Sequence, residues 1–270
     1  MTYENLLLDV NNHVAHVRFN RPDKANALHH GAWNDLQHAF EMLDTREDVR
    51  VIILSGEGKH FCSGIDLTFF QDITAESDPA CGARSREYIR REILNLQAPI
   101  NAIEACCKPV IAAISGGCIG AGVDIISACD LRYGTTDSYF SIREIDMGMV
   151  ADLGTLQRLP RLIPHGIVRE MAFTGRNVYG KEAEQIGLIN SCQDGSESLM
   201  KTVFEVALNI AAKSPLAIRG TKHVLNYSRD HSIDDGLQYV ATWNAGMLLS
   251  EDLRIAVQSK LERKEPKFRN

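Results

Sequence analysis

The chain has 270 residues, 44% hydrophobic and 24% charged, and 29 Lys+Arg against 35 Asp+Glu give a net charge of −6. A chain this long buries roughly 75% of its unfolded surface, so its core needs no covalent or metal staple. This balance excludes intrinsic disorder, a collagen-like repeat and a disulfide-dense miniprotein. The acidic balance lacks the positive field that bulk nucleic-acid binding requires.

His13 to Phe19 alternates with period two and predicts a strand, followed by a turn at Asn20-Arg-Pro-Asp23. From Ala27 to Leu43, Leu28, Trp33, Leu36, Ala39, Phe40 and Leu43 recur at helical spacing. Val49 to Leu54 and Val110 to Ile114 are short apolar runs that predict buried strands, each closed by glycines. Leu131–Tyr133 and Tyr139–Ser141 predict two more short strands. After residue 160 the patterns turn helical, over 166–174, 181–186, 199–213, 215–227 and 233–260, with a polar break at Arg229-Asp230-His231. Strands alternating with helices predict an α/β layer architecture. The expected organisation is an α/β core over residues 1–195 and a helical C-terminal region over 196–270, which packs on the core or on a partner subunit.

The seven cysteines are Cys62, Cys81, Cys106, Cys107, Cys118, Cys129 and Cys192. No C-x-x-C pair occurs, which predicts free thiols in a reducing compartment. No run approaches the ~18 apolar residues of a membrane helix. The opening Met-Thr-Tyr-Glu-Asn reads as no secretory signal and the closing Lys-Phe-Arg-Asn as no peroxisomal address, so the expected compartment is cytoplasmic.

Several familiar motifs fail on chemistry. Gly58-Lys59 is followed by His60, where a P-loop needs Ser or Thr to hold magnesium. Gly117-Cys-Ile-Gly120-Ala-Gly122 has its glycines in the wrong order for a dinucleotide fingerprint. His29 and His30 diverge on a helix, and neither H-E-x-x-H nor G-x-S-x-G occurs. No metal and no cofactor is expected.

Two glycine-containing turns remain, Phe61-Cys-Ser-Gly-Ile-Asp-Leu67 and Ser115-Gly-Gly-Cys-Ile-Gly-Ala-Gly-Val-Asp124. Each leaves a strand and leads toward a helix. N–H groups at a helix start lack intrahelical partners, and small residues let a ligand oxygen approach them. Two such turns facing each other would offer two donors to one oxygen. The acids are as informative. Asp124 lies just inside the helix after the second turn, Glu144 lies 20 residues on and Asp152 another 8, all in apolar company. A buried carboxylate is costly without a partner. The bland alternative is surface or capping acids, or acids paired with Arg132, Arg143 or Arg158.

The ordered set of Asn20-Arg-Pro-Asp-Lys-Ala-Asn-Ala-Leu28, Phe61-Cys-Ser-Gly-Ile-Asp-Leu67 and Lys108 through Asp124 closely resembles the enoyl-CoA hydratase/isomerase (crotonase) superfamily. The resemblance extends to Phe268. Cys118–Asp124 with Glu144 and Ala151–Pro160 is most similar to the Δ3,5-Δ2,4-dienoyl-CoA isomerases. It implies a spiral of ββα units with a C-terminal helical trimerisation region, assembled as a homotrimer or dimer of trimers. It also implies an acyl-CoA substrate in fatty acid β-oxidation, with coenzyme A part of the substrate rather than a cofactor. By motif position the oxyanion donors are the N–H groups of Ile65 and Ala121. Asp152 takes the C2 proton, Glu144 protonates C6, and Asp124 supports the pair. Arg21 and Lys24 flank the nucleotide, Ser63, Gly64, Ile65 and Asp66 lie along the pantetheine, and Gly120 is a further substrate-binding residue. Asp66 also reads as a cap or turn residue. Arg263, Lys264 and Lys267 reach phosphates or form a solvated charged terminus, and Ile73 to Leu96 would wall the acyl pocket, where Phe69, Phe70, Tyr88 and Ile89 line it or fill the core. The resemblance leaves a 2-enoyl-CoA hydratase or a Δ3,Δ2-enoyl-CoA isomerase as the nearest rivals, and a non-catalytic CoA-binding or RNA-binding member as a different class.

Overall fold

A computed structural model describes residues 2–69, 78 and 80–270. The larger sheet has six strands in the order β1-β2-β3-β4-β6-β9. They are β1 (Leu6–Asn11), β2 (Val14–Phe19), β3 (Val51–Gly56), β4 (Val110–Ile114), β6 (Leu131–Thr135) and β9 (Ser191–Gln193). The β1–β2 hairpin is antiparallel and every later pairing is parallel. A smaller sheet joins β5 (Gly117–Ile119), β7 (Tyr139–Ser141) and β8 (Val178–Tyr179).

Parallel strands covered on both faces need apolar side chains on both. In β3 and β4 the alternation sorts them. Ile52, Leu54, Ala112 and Ile114 face one core with α1 (His30–Thr45) and α2 (Gly82–Ala105), through Trp33, Leu36, Phe40 and Ile100. Val51, Ile53, Ile111 and Ala113 face a second core with Leu199, Val203, Ala207 and Ala211. Those four residues belong to α7 (Ser196–Ala211), so the first helix of the predicted C-terminal region covers the sheet itself.

After β4 the chain passes to β5 of the smaller sheet and then to α3 (Ala121–Ala128); after β6 it passes to β7 and then to a 3-10 turn, Glu144–Met147. From β4 to β7 the strands alternate between the sheets, and the connections that follow them carry the candidate residues. Next come α4 (Thr155–Arg158), α5 (His165–Thr174) and α6 (Gly180–Gln185). Beyond α7 lie α8 (Pro215–Arg229), α9 (Ile233–Met247) and α10 (Glu251–Glu262). The run predicted over 233–260 is two helices, because Ser250 caps a new start by accepting from Leu253 N–H at 3.2 Å. Leu225, Ile233, Leu237, Leu248, Leu249, Val257 and Leu261 on or between these last helices are exposed. Among the described residues no helix is long and apolar enough to cross a membrane.

Candidate active site

The two glycine turns meet. Cys62 N–H donates to Gly117 O at 3.1 Å and Ile119 N–H donates to Cys62 O at 2.9 Å, a parallel bridge that lays the first turn along β5. His60 supports the junction, its Nδ1 accepting from Gly117 N–H at 2.9 Å. Leu28 N–H donates to Gly64 O at 2.9 Å, and Asp66 N–H donates to Leu28 O at 2.9 Å. A trans peptide points its N–H opposite its C=O. The Ile65 N–H therefore points away from Leu28, and among the described residues it has no acceptor. At the second turn Gly120 O accepts from Val123 N–H at 2.7 Å and Asp124 N–H at 3.2 Å. The Ala121 N–H faces outward from the helix start, likewise without an acceptor among the described residues. Gly64 has a φ of +100°, and a Cβ there would lie 3.2 Å from Ile119 O and 3.8 Å from Ala121 N. The backbones carrying both donors are therefore in contact.

The three acids gather beside them. Asp124 is fully buried on α3. Its Oδ1 accepts from Thr155 N–H at 2.6 Å, while Oδ2 is buried without a hydrogen-bond partner among the described residues. Burial pushes its carboxyl up to about 6, helped by the charge of Asp152 and opposed by the Thr155 hydrogen bonds. Glu144 opens the 3-10 turn with its Oε1 3.3 Å from where a Gly120 Cβ would sit, and its buried Oε2 has no partner among the described residues. Burial first, then the charges of Asp124 and Asp152, push Glu144 up to about 7. Asp152 is more exposed, yet partial desolvation still raises its carboxyl above the ordinary range. The arginines that could have neutralised these acids are engaged elsewhere. Arg132 donates to the carbonyls of Leu188 and Cys129, Arg143 pairs with Asp146, and Arg158 pairs with Glu104 at 3.0 Å.

Other expected residues have mixed placements. Arg21 donates to Ala27 O at 2.5 Å and pairs with Asp66 at 3.2 Å, so this guanidinium braces the first turn. Asp66 also accepts from Thr68 N–H at 3.2 Å, as a turn residue does. Lys24 is exposed beside the same turn, where Ser63 N–H donates to Ala25 O at 3.0 Å. Lys264 pairs with Glu262 at 2.9 Å, and Phe268 O accepts from Arg50 at 2.8 Å, which folds the basic tail onto its own chain. Of the expected acyl wall, Phe70 and residues 71–77 and 79 lie outside the described residues. Phe69 is buried with its ring 4.6 Å from that of His30, Tyr88 is half-buried and Ile89 is exposed.

Sequence reasoning missed two supports. Gln97 Nε2 donates to Asp152 O at 2.7 Å from α2, and Thr155 N–H holds Asp124. Gly154 before Thr155 was the available signal: its φ of +126° turns the chain so that residues 152 and 155 both reach the site. No group of His, Cys, Asp or Glu among the described residues is arranged to hold a metal ion.

This arrangement can hold a developing oxyanion on two main-chain donors and move protons through carboxyl groups poised between acid and base. A Bacillus anthracis structure described as enoyl-CoA hydratase superposes with a TM-score of 0.89 at 28% identity, covering 98% of this chain and 99% of that one. The Arabidopsis thaliana protein named peroxisomal Δ3,5-Δ2,4-dienoyl-CoA isomerase is 47% identical over 99% of this chain and 96% of its own. The mitochondrial protein of the same name from Mus musculus is 43% identical over 94% and 78%. The model of the enoyl-CoA hydratase/isomerase family matches residues 9–270, and the chain belongs to that family.

Proposed function

We propose that the protein is a Δ3,5-Δ2,4-dienoyl-CoA isomerase of fatty acid β-oxidation. The observation that carries this is the convergence of Asp124, Glu144 and Asp152 beside the paired donors, with two of them held near neutrality by burial and mutual repulsion. The relatives named for this activity support it over most of the chain. The thioester carbonyl accepts from the N–H groups of Ile65 and Ala121, and those bonds strengthen as an enolate forms. The Asp152 carboxylate removes a proton from C2. The electron pair moves along the conjugated system, and the Glu144 carboxylic acid protonates C6. A 1,5 shift needs groups at both ends, and a single acid would have to reach both carbons. Asp124 orients the pair, since its Oδ1 is tied to Thr155 in the segment that carries Asp152.

Lys24, Ser63, Gly64 and Gly120 line the approach for the coenzyme A part of the substrate, and the reaction needs no separate cofactor. Residues 1–195 carry the chemistry, α7 covers the large sheet, and α8 to α10 carry the assembly. The exposed apolar side chains of α8 to α10 support a homotrimer or dimer of trimers. All seven cysteines are free, which fits a reducing compartment. The cytoplasm is our choice among such compartments, beside relatives named peroxisomal and mitochondrial.

The test follows ultraviolet absorbance during incubation with a 3,5-dienoyl-CoA and, separately, with crotonyl-CoA. Conversion of the first to the 2,4-dienoyl product is expected. Rapid hydration of crotonyl-CoA with no shift of the dienoyl substrate would reassign the chain to the hydratases.

A further inference from the structure

A second polar feature adjoins the site and has no part in the steps above. A cavity of about 400 Å³ is lined by Asp152 together with Gln97, Asn101, Ser127, Gln157 and Arg158. Arg161 and Asp230 also line it; they form a 3.0 Å ion pair and are each about half exposed, at 48% and 47%, so the cavity reaches the surface there. Leu153 and Leu162 also line it, but an acyl chain would leave its amide, hydroxyl, guanidinium and carboxylate groups without hydrogen-bond partners. Those groups make good walls for water, and at ~30 Å³ per molecule the space accommodates roughly a dozen. Glu144 is absent from this lining, and its Oε2 is buried. The base therefore borders a polar route to the surface that the acid does not share.

This asymmetry matters because the shift leaves both carboxyl groups in the wrong state. Asp152 ends each turnover protonated and Glu144 ends it ionised. Resting on the reading of Asp152 as base, we propose that the cavity is its proton outlet, a chain of bound water that carries the C2 proton to solvent. The Asp152 carboxylic acid gives its proton to water, forming hydronium and restoring the carboxylate. Glu144 takes one proton from water admitted as the product leaves, and the hydroxide formed neutralises the released hydronium in bulk solvent. One proton is released and one taken up, so none is gained or lost overall. The hydrogen removed from C2 of one substrate is therefore not the hydrogen delivered to C6 of the next.

The test is turnover of a 3,5-dienoyl-CoA in D2O at low conversion, with many turnovers per enzyme molecule, reading the product by NMR and mass spectrometry. Deuterium at C6 in most product molecules is expected. Protium at C6 after the first turnover means that Asp152 hands its proton internally to Glu144, and this overturns the proposal. An enzyme that does not convert the dienoyl substrate at all refutes the isomerase reading instead, so the two failures are distinct. Gln157→Trp tests the route, since it fills the cavity from an exposed position. Its steady-state turnover should fall several-fold while its first turnover keeps the wild-type rate. An unchanged steady state would remove the cavity from the pathway.

Discussion

Replacing Gly64 by alanine separates two demands made on that residue. Its φ of +100° is a conformation that an L side chain adopts only at a strain of ~1–3 kcal/mol. Gly195 has a φ of +101° with nothing within 4 Å of an added methyl, so Gly195→Ala meets the strain alone. At Gly64 the methyl also falls 3.2 Å from Ile119 O. Relief of either effect turns the peptide between residues 64 and 65, and the Ile65 N–H turns with it. Loss of one such donor reduces kcat by ~10²–10³, or about 2.7–4 kcal/mol of transition-state stabilisation. Gly64→Ala should therefore lose at least as much Tm as Gly195→Ala in a thermal melt. Only Gly64→Ala should lose about two orders of magnitude or more in isomerase kcat. If its kcat falls no further than that of Gly195→Ala, the 64–65 peptide is not a donor and the oxyanion assignment is wrong.

The carboxylates give parallel expectations. Asp152→Asn and Glu144→Gln should each lose several orders of magnitude of isomerase rate while still binding CoA thioesters in a calorimeter; near-normal turnover by Asp152→Asn would point to hydratase chemistry. As the proposed acid, Glu144 holds its proton and is pushed up to about 7, so kcat should fall as pH rises through 7; as the proposed base, Asp152 is ionised, so the rate should also fall as acid protonates it through its raised pKa. A flat profile across neutrality would contradict the role of Glu144, and a rate that does not fall in acid would contradict that of Asp152. Asp124 has its pKa raised from 3.8 to about 6, so the folded state binds more protons and loses stability as pH rises across that window. Asp124→Asn should accordingly gain stability over wild type from pH 4 to 7, by about 3 kcal/mol at ~1.36 kcal/mol per pKa unit, read from Tm against pH. Lys222 is 6% exposed and pairs with Asp130 at 2.7 Å, tying α8 to the large sheet. Lys222→Met should cost about 3 kcal/mol, seen in the denaturant midpoint, with activity per folded molecule unchanged.

Strands β2, β3, β4, β6 and β7 were legible because their side chains alternate or run apolar without interruption. Strand β1 was not. Its hairpin turns at Asn12 and His13, with φ of 50° and 64°, where the recognisable signal would have been Asn-Gly. The helix predicted from Ala27 starts at His30, because Asn26 is left-handed and Leu28 is buried as the bridge partner of Ile65, not as the first turn of a helix. The acid trio showed in the sequence as carboxylates among apolar neighbours, and the structure brings them together. Arg21 shows where such reading ends. The resemblance places it beside the nucleotide, and only the fold reveals that it also pairs with Asp66, 45 residues away. Gln97 was invisible for the same reason, since an amide on a long helix carries no mark of the carbonyl it will meet.

The main-chain donors are fixed by strand-like pairing, through the Cys62–Cys118 bridge and the bonds to Leu28. The acids at 144 and 152 sit on short connections outside that lattice. On the proposed mechanism, charge capture and hydrogen traffic thus reside in separable parts of the molecule. Under the proposed roles, exchanging a side chain on either connection should change where hydrogen is gained or lost while the paired main-chain N–H groups keep their positions.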